Sequence, residues 1–245
     1  LYQDDTIQHA GVVVGFGGYV SIPVARAAEK MGIPVVLHEQ NSVMGMANKY
    51  LAKKAACVCV TYEHSMACLP PDASARLTGN PVRRSVMEAS REEGRALFGL
   101  SEDDTMLLVF GGSLGARHIN EAVVALKDEL LSRPRLHVVH ITGPKELDAV
   151  TEALALTEEE AGRWTLLGYQ DRMGETMAAA DAIVSRAGAT SLAEISARAI
   201  PALLVPYPHA TEDHQTTNAR AYVDAGCAFM VPDAELDTPA FSEAV

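Results

Sequence analysis

The chain has 245 residues, 48% hydrophobic and 21% charged, enough apolar material for a packed core and too little charge for a disordered chain. Its 20 Lys and Arg stand against 32 Asp and Glu, a net charge of −12, which argues against broad attraction to nucleic acid or to anionic lipid. No apolar run approaches the roughly 20 residues of a membrane-spanning helix, and the length suits one or two domains. Four cysteines (Cys57, Cys59, Cys68, Cys227) are too few for a disulfide framework and fit a reducing compartment. Cys57-Val58-Cys59 puts two thiols on one strand face, but no second pair at ligand spacing accompanies them, so buried thiols rather than a metal site are expected. The chain opens at Leu1 without a signal-like segment and stops at Val245 inside a starting helix, and reads as a fragment.

In chain order, short apolar runs predict strands at 12–14, 35–37, 58–60, 106–110, 138–141, 165–167, 182–184, 202–205 and 229–231. Helix-period segments lie between them. The clearest is 116–131, where Ile119, Ala122, Val123, Leu126, Leu130 and Leu131 recur at three and four. Continuously apolar strands alternating with helices predict an α/β fold with doubly wound parallel sheets, helices covering both faces. Thr78-Gly79-Asn80-Pro81-Val82-Arg83 interrupts the alternation with turn formers, and a domain boundary is expected there.

In such sheets ligands sit at the carboxyl ends of strands, and three strand-to-helix junctions stand out. They are Gly15-Phe16-Gly17-Gly18-Tyr19, Gly111-Gly112-Ser113-Leu114-Gly115-Ala116 and Arg186-Ala187-Gly188-Ala189-Thr190-Ser191. Each offers the unpaired amides and positive dipole end of a helix start, which suits phosphate; close helix–strand packing is the bland alternative. None completes a dinucleotide fingerprint, since Val20 stands where the third glycine belongs, and none is a P-loop. The second junction also matches G-x-S-x-G, so a serine hydrolase using Ser113, with Asp181 and then His209 or His214, is a rival reading. Glu194 follows the third junction, where a carboxylate could accept two hydrogen bonds from a vicinal diol such as ribose or simply complement the helix dipole. His38-Glu39-Gln40-Asn41 ends a strand with four hydrogen-bonding side chains, expected to face a cleft. Asp213-His214-Gln215-Thr216-Thr217-Asn218 opens the last long helix, with Asp213 or Thr211 as candidate cap.

Taken in order, six blocks resemble the MurG family of bacterial cell-wall N-acetylglucosaminyl transferases. They are Gly15 to Ser21, Gly32 to Asn41, Gly79 to Arg83, Gly111 to Arg117, Arg186 to Ile195, and Asp213 to Gln215 with Asn218-Ala219. The resemblance implies the GT-B glycosyltransferase architecture of two Rossmann-like domains, with residues 1–83 the remaining part of an acceptor domain and 84–245 the UDP-sugar donor domain. It implies that Glu194 holds the ribose hydroxyls, that Ser113 and Ser191 with Gly188 and Ala189 meet the diphosphate, and that Gln215 and His214 meet the sugar. Uracil would lie against backbone near Tyr169 to Met173, with Asn41 and Arg83 facing the cleft. The implied reaction is inverting transfer of N-acetylglucosamine from UDP-N-acetylglucosamine to undecaprenyl-diphosphate-linked N-acetylmuramyl-pentapeptide, without metal or cofactor. The protein would sit peripherally on the cytoplasmic face of the membrane, against its inner leaflet. His38 is the candidate base on this chain. Two family features are missing, the first glycine-rich loop with its histidine and the closing C-terminal helix, and His214 replaces the first of two glutamines. A non-catalytic UDP-sugar-binding fragment, one half of a split enzyme, or another UDP-sugar enzyme of the same architecture are the alternatives.

Overall fold

The computed structural model describes residues 9–112 and 115–245, and the chain divides into two compact units, Leu1–Pro81 and Val82–Val245. The first unit runs β1 (Val13–Gly15), α1 (Ser21–Lys30), β2 (Val35–Glu39), α2 (Met46–Leu51), β3 (Cys57–Val60), a 3₁₀ turn (Glu63–Cys68) and β4 (Ala75–Leu77). All four strands pair in parallel in the order β1-β2-β3-β4. Ala25 and Ala28 of α1 and Leu51 of α2 bury against Val35, Leu37, Val58 and Val60, so one sheet face makes the core. The other carries His38, Cys59 and Arg76 side by side in register.

The second unit runs α3 (Arg84–Met87), α4 (Arg91–Leu97), β5 (Thr105–Phe110), α5 (Arg117–Ala125), α6 (Lys127–Leu131), β6 (Leu136–Ile141), α7 (Leu147–Leu154), α8 (Glu158–Ala161), β7 (Trp164–Leu167), α9 (Met173–Ala179), β8 (Ala182–Ser185), α10 (Ala189–Ala197), β9 (Ala202–Leu204), α11 (His214–Asp224), β10 (Ala228–Met230) and α12 (Pro239–Ala244). Its parallel sheet has the order β10-β9-β8-β5-β6-β7. The chain starts at β5, winds outward through β6 and β7, then returns to β8 on the other side. The loops after β5 and β8 therefore diverge, which opens a crevice at their carboxyl ends.

The two faces of β5 explain its unbroken apolar sequence. Leu107 and Val109 enter a core with Ile119 and Val123 of α5 and Leu154 of α7, while Met106, Leu108 and Phe110 enter a second core with Met177 of α9 and Leu192 and Ile195 of α10. Each such side chain, taken fully out of water, contributes about 1.5–3 kcal/mol, and the alternation divides that gain between both helical layers.

All nine expected strands form. Two expectations need correction. The single helix over 116–131 is two, broken at Leu126 (φ −91°, ψ 8°), where the Leu126 amide closes back on the Val123 carbonyl and Lys127 turns to an ion pair with Glu160 at 2.8 Å. The thiols are not buried: Cys57 and Cys59 are partly exposed and Cys68 and Cys227 exposed, and it is Val58 and Val60, on the opposite face of β3, that enter the core. No group of three or more His, Cys, Asp or Glu disposed to hold a metal occurs among the described residues, and no helix there is long and apolar enough to cross a membrane.

Candidate functional site

A cavity of about 320 Å³ opens at the carboxyl edge of the second sheet. Phe110 and Gly112 after β5, Ile141 ending β6, Gly168 to Gln170 after β7, Met173 opening α9, and Thr190, Ser191 and Glu194 of α10 line it, together with Arg83. Phe110, Ile141 and Met173 give it apolar walls. One end is the start of α10: the Leu192 amide closes the first turn on the Gly188 carbonyl, leaving the Ala189, Thr190 and Ser191 amides as the helix's open donors. A Cβ at Gly188 would meet nothing within 4 Å, so the backbone there is open to a ligand.

On the same helix is Glu194, two turns in and buried. Its carboxylate accepts from Arg83 Nε at 2.7 Å and Arg83 Nη2 at 3.1 Å, a two-pronged pair that holds the guanidinium above its ordinary pKa. Arg83 belongs with the second unit, because this pair and the burial of Val86 fasten the segment after Pro81 to it. A larger hollow of about 550 Å³, lined by Leu192, Ile195, Tyr222 and Phe229 among others, has no charged lining and takes in the starts of only the two outermost strands on that side, β9 and β10. The smaller cavity is therefore the candidate ligand site.

Behind it, α5 is locked to the end of β6. His140 Nε2–H donates to Asn120 Oδ1 at 3.0 Å, and Asn120 Nδ2 donates to the Thr142 carbonyl at 3.0 Å. That same carbonyl lies 2.1 Å from where a Cβ on Gly115 would stand, so α5 begins in contact with backbone. Burial drives His140 down to about 4 from 6.5, keeping it neutral. Nearby, His118 of α5 pairs with Asp233 (2.8 Å) and Asp237 (3.2 Å), and Arg186 pairs with Asp233 while lying over the Tyr207 ring. The Asp233 hydrogen bond raises the His118 pKa against the opposing effect of burial.

Of the residues singled out in the sequence, the cavity brings together Arg83, Tyr169, Ser191 and Glu194, with Gly188 and Ala189 at the start of α10. His214 and Gln215 are not among its lining residues. His214 Nδ1–H donates to the Thr211 carbonyl at 2.8 Å, and the Gln215 side chain accepts from the Tyr207 amide at 2.9 Å. Asp213 is the N-cap residue of α11 but in a left-handed conformation (φ 50°), and its carboxylate accepts the Thr216 hydroxyl instead of a helix amide. Ser113 lies outside the described residues.

The serine-hydrolase reading fails on geometry. Asp181 stands at the amino end of β8, accepting from the Met106 amide at 2.8 Å and paired with Arg91 and Arg95, whereas the chain leaves β5 toward residue 113 at the carboxyl end. Asp181 and the described end of β5 therefore lie at opposite edges of the sheet.

In the first unit, Asn41 and His38 lie at the carboxyl end of β2. The expectation that this polar cluster faces a cleft needs correction for His38 and Glu39. His38 is buried, with Nε2–H donating to the Gly79 carbonyl at 3.0 Å, and Glu39 is buried, accepting from the Asn41 amide (3.1 Å), the Gly45 amide (3.0 Å) and Asn48 Nδ2 (2.8 Å). These two hold the loop after β2 and the segment before Pro81. Phe110 and Ile141 were not legible as lining, whereas Gln170 and Thr190 fall in the two stretches singled out. Asn120 and His140 did carry a signal, as polar residues on apolar faces of a helix and a strand.

A parallel sheet of this order with its cavity at the crossover, preceded by a second parallel α/β unit, gives the chain the GT-B architecture. Residues 106–245 match the glycosyltransferase family 28 C-terminal domain and residues 7–60 the family 28 N-terminal domain. The chain belongs to glycosyltransferase family 28, in its MurG branch. It is 41% identical over 228 residues to the UDP-N-acetylglucosamine–N-acetylmuramyl-(pentapeptide) pyrophosphoryl-undecaprenol N-acetylglucosamine transferase of Moorella thermoacetica, covering 92% of this chain and 62% of that protein. It is 44% identical over 225 residues to the Leuconostoc mesenteroides protein of the same description, covering 92% and 61%. The crystal structure of Acinetobacter baumannii MurG superposes with a TM-score of 0.70 at 31% identity, covering 95% of this chain and 62% of that one. The chain thus spans about three-fifths of the length of the curated relatives it matches.

Proposed function

We propose that the second unit binds UDP-N-acetylglucosamine and that the chain serves the inverting transfer of its sugar to undecaprenyl-diphosphate-linked N-acetylmuramyl-pentapeptide, the reaction named for its relatives. The observation that carries this reading is the cavity at the sheet crossover, with a buried carboxylate beside an open helix start. In this reading Glu194 accepts the ribose hydroxyls, the base lies between Met173 and the backbone of Gly168 to Gln170, and the diphosphate meets the α10 amides with Ser191 and, from the junction after β5, Ser113. Gln215 and His214 turn to the sugar, the former through its free amide hydrogens.

When an acceptor hydroxyl attacks the anomeric carbon, negative charge grows on the departing diphosphate. Amides and a helix dipole already aimed there stabilise that state more than the ground state. Val82–Val245 is then the donor half and Leu1–Pro81, with Asn41 and His38, part of the acceptor half. His38 donates its Nε2–H hydrogen bond to the Gly79 carbonyl, which fits a residue that shapes the acceptor half better than a base. The acceptor's lipid places the reaction at the inner leaflet of the cytoplasmic membrane, with the protein peripheral to it.

Calorimetric titration with UDP-N-acetylglucosamine, with UDP-glucose and ADP as controls, tests the reading. Selective binding that Glu194→Ala weakens by about 1–3 kcal/mol is expected, because a charged hydrogen-bond acceptor is lost. Equal binding of ADP, or an unaffected variant, would overturn it. A second reading, a donor-binding module without transfer of its own, is favoured by the cavity's construction entirely from residues of the second unit. Turnover of a lipid-linked acceptor by the chain alone separates the two.

A further inference from the structure

Arg83 meets Glu194 with Nε at 2.7 Å and Nη2 at 3.1 Å, one donor to each carboxylate oxygen. Such a fork takes the two parallel lone pairs along the carboxylate's outer edge. A vicinal diol presents two O–H donors side by side and needs that same edge, because the lone pairs left over diverge too widely to meet both hydroxyls. Both residues line the one cavity, so in this structure the carboxylate proposed to read ribose is closed to it.

The two partners are held differently. The Glu194 side chain is 6% exposed on a helix packed into the core, whereas that of Arg83 is 55% exposed. The Arg83 backbone is pinned at the start of α3, its carbonyl accepting from the Val86 and Met87 amides. Arg83 can therefore leave Glu194 by rotating its own side chain, with neither helix moving. A guanidinium parted from a buried carboxylate needs another anion, and a phosphate offers it the same two-pronged pairing. The open amides of α10 end at Ser191, one turn before Glu194 on the same cavity, and they are where an anion would sit.

We propose that the Arg83–Glu194 pair is a latch on the free site, which shuts the carboxylate to a lone vicinal diol and opens when the guanidinium exchanges Glu194 for the phosphates of a nucleoside diphosphate. The proposal rests on the nucleotide reading above and adds to it a rule of selection. The diol is read only in a ligand that also carries phosphate, so a bare nucleoside is held without Glu194.

The experiment titrates wild type, Arg83→Met, Glu194→Ala and the double variant with uridine and with UDP, and records Trp164 fluorescence on heating as a check of folding. Arg83→Met should bind uridine about threefold or more tighter than wild type, since no charged pair has to be broken first, while UDP moves by less than about threefold. Glu194→Ala should weaken UDP, leave uridine within about twofold of wild type, and abolish the gain when combined with Arg83→Met. If Arg83→Met binds UDP but takes uridine no tighter, or if the gain survives Glu194→Ala, the latch is overturned. Where Arg83→Met melts early, the test is nuclear magnetic resonance of the wild type, with the Arg83 Nε–H signal assigned by its loss in Arg83→Lys. That signal should shift with UDP and stay in place with uridine at equal occupancy; a signal that stays under both overturns the proposal. Wild type that binds neither ligand overturns the nucleotide reading itself.

Discussion

At the turn after β1, Gly18 lies at φ +76° and a Cβ there would meet nothing within 4 Å, while the nearest atoms to Gly17 belong to the Asn48 side chain at 3.5 Å. At the turn after β5, Gly115 lies at φ +79°, and a Cβ there would stand 2.1 Å from the Thr142 carbonyl oxygen. The same residue pattern at two strand-to-helix junctions thus answers two needs. In the first unit glycine supplies a backbone conformation, and its surroundings are side chains that can yield. In the second it also lets backbone touch backbone, and nothing there can yield. Both remain open at their outer positions, as an anion-binding turn requires, but only the second is mounted by direct backbone contact.

The largest expected effect separates these two grounds. Gly115→Ala combines positive φ with a backbone clash, and should destabilise the second unit by about 3–5 kcal/mol or prevent its folding, whereas Gly18→Ala should cost the first unit about 1–2 kcal/mol from φ alone. Trp164, the only tryptophan, is buried beside His140 and reports unfolding of the second unit in urea; far-UV circular dichroism follows both units, so any change in it that does not track Trp164 reports the first. Equal losses would erase the distinction.

Next in size is the mounting of that turn. His140 is held near 4 in the fold against 6.5 unfolded. As pH falls through that window the unfolded chain binds a proton that the folded chain refuses, so stability declines, by about 3 kcal/mol over the full interval. His137, also pushed down by burial, adds in the same direction. Urea midpoints from Trp164 fluorescence should fall between pH 6.5 and 4.5. His140→Gln keeps a donor for Asn120 without titrating and should flatten most of the slope; an undiminished slope would assign the acid sensitivity elsewhere.

How much of this could be read beforehand follows from what each feature depends on. Met106 to Phe110 announced a strand because both its faces are buried, so its sequence is apolar throughout. Ala75-Arg76-Leu77 gave no such signal: β4 is an edge strand held by pairing to β3, and Arg76 and Leu77 are exposed. The break at Leu126 was hidden because the apolar spacing runs straight through it. Glu194 was legible from its place after a glycine turn, but its partner was not, since nothing local ties residue 83 to residue 194. Asn120, His140 and Gly115 are likewise joined only by the fold.

In the first unit the mounting is a carboxylate. Glu39 accepts from two amides and from Asn48, which in turn borders Gly17. Glu39→Gln must turn an NH₂ toward one of those donors, and about 1–3 kcal/mol of first-unit stability should be lost with no change in the Trp164 transition. Coupled loss in both transitions would show that the two turns are not independently mounted.

The smallest effect is expected at His118, which ties α5 to Asp233 and Asp237. Its pKa is raised in the fold, chiefly by the Asp233 hydrogen bond, so its contribution is fully present below the unfolded value of about 6.5 and fades as pH rises through the folded one. That is opposite in sign to His140 and falls in the adjoining window, so the second unit should be most stable close to neutrality, with a steep acid side and a shallow alkaline one. His118→Asn should remove the alkaline decline and leave the acid slope as it was. If both slopes changed together, His118 and His140 would be acting through one network across α5, and the turn after β5 would rest on charge as well as on backbone contact.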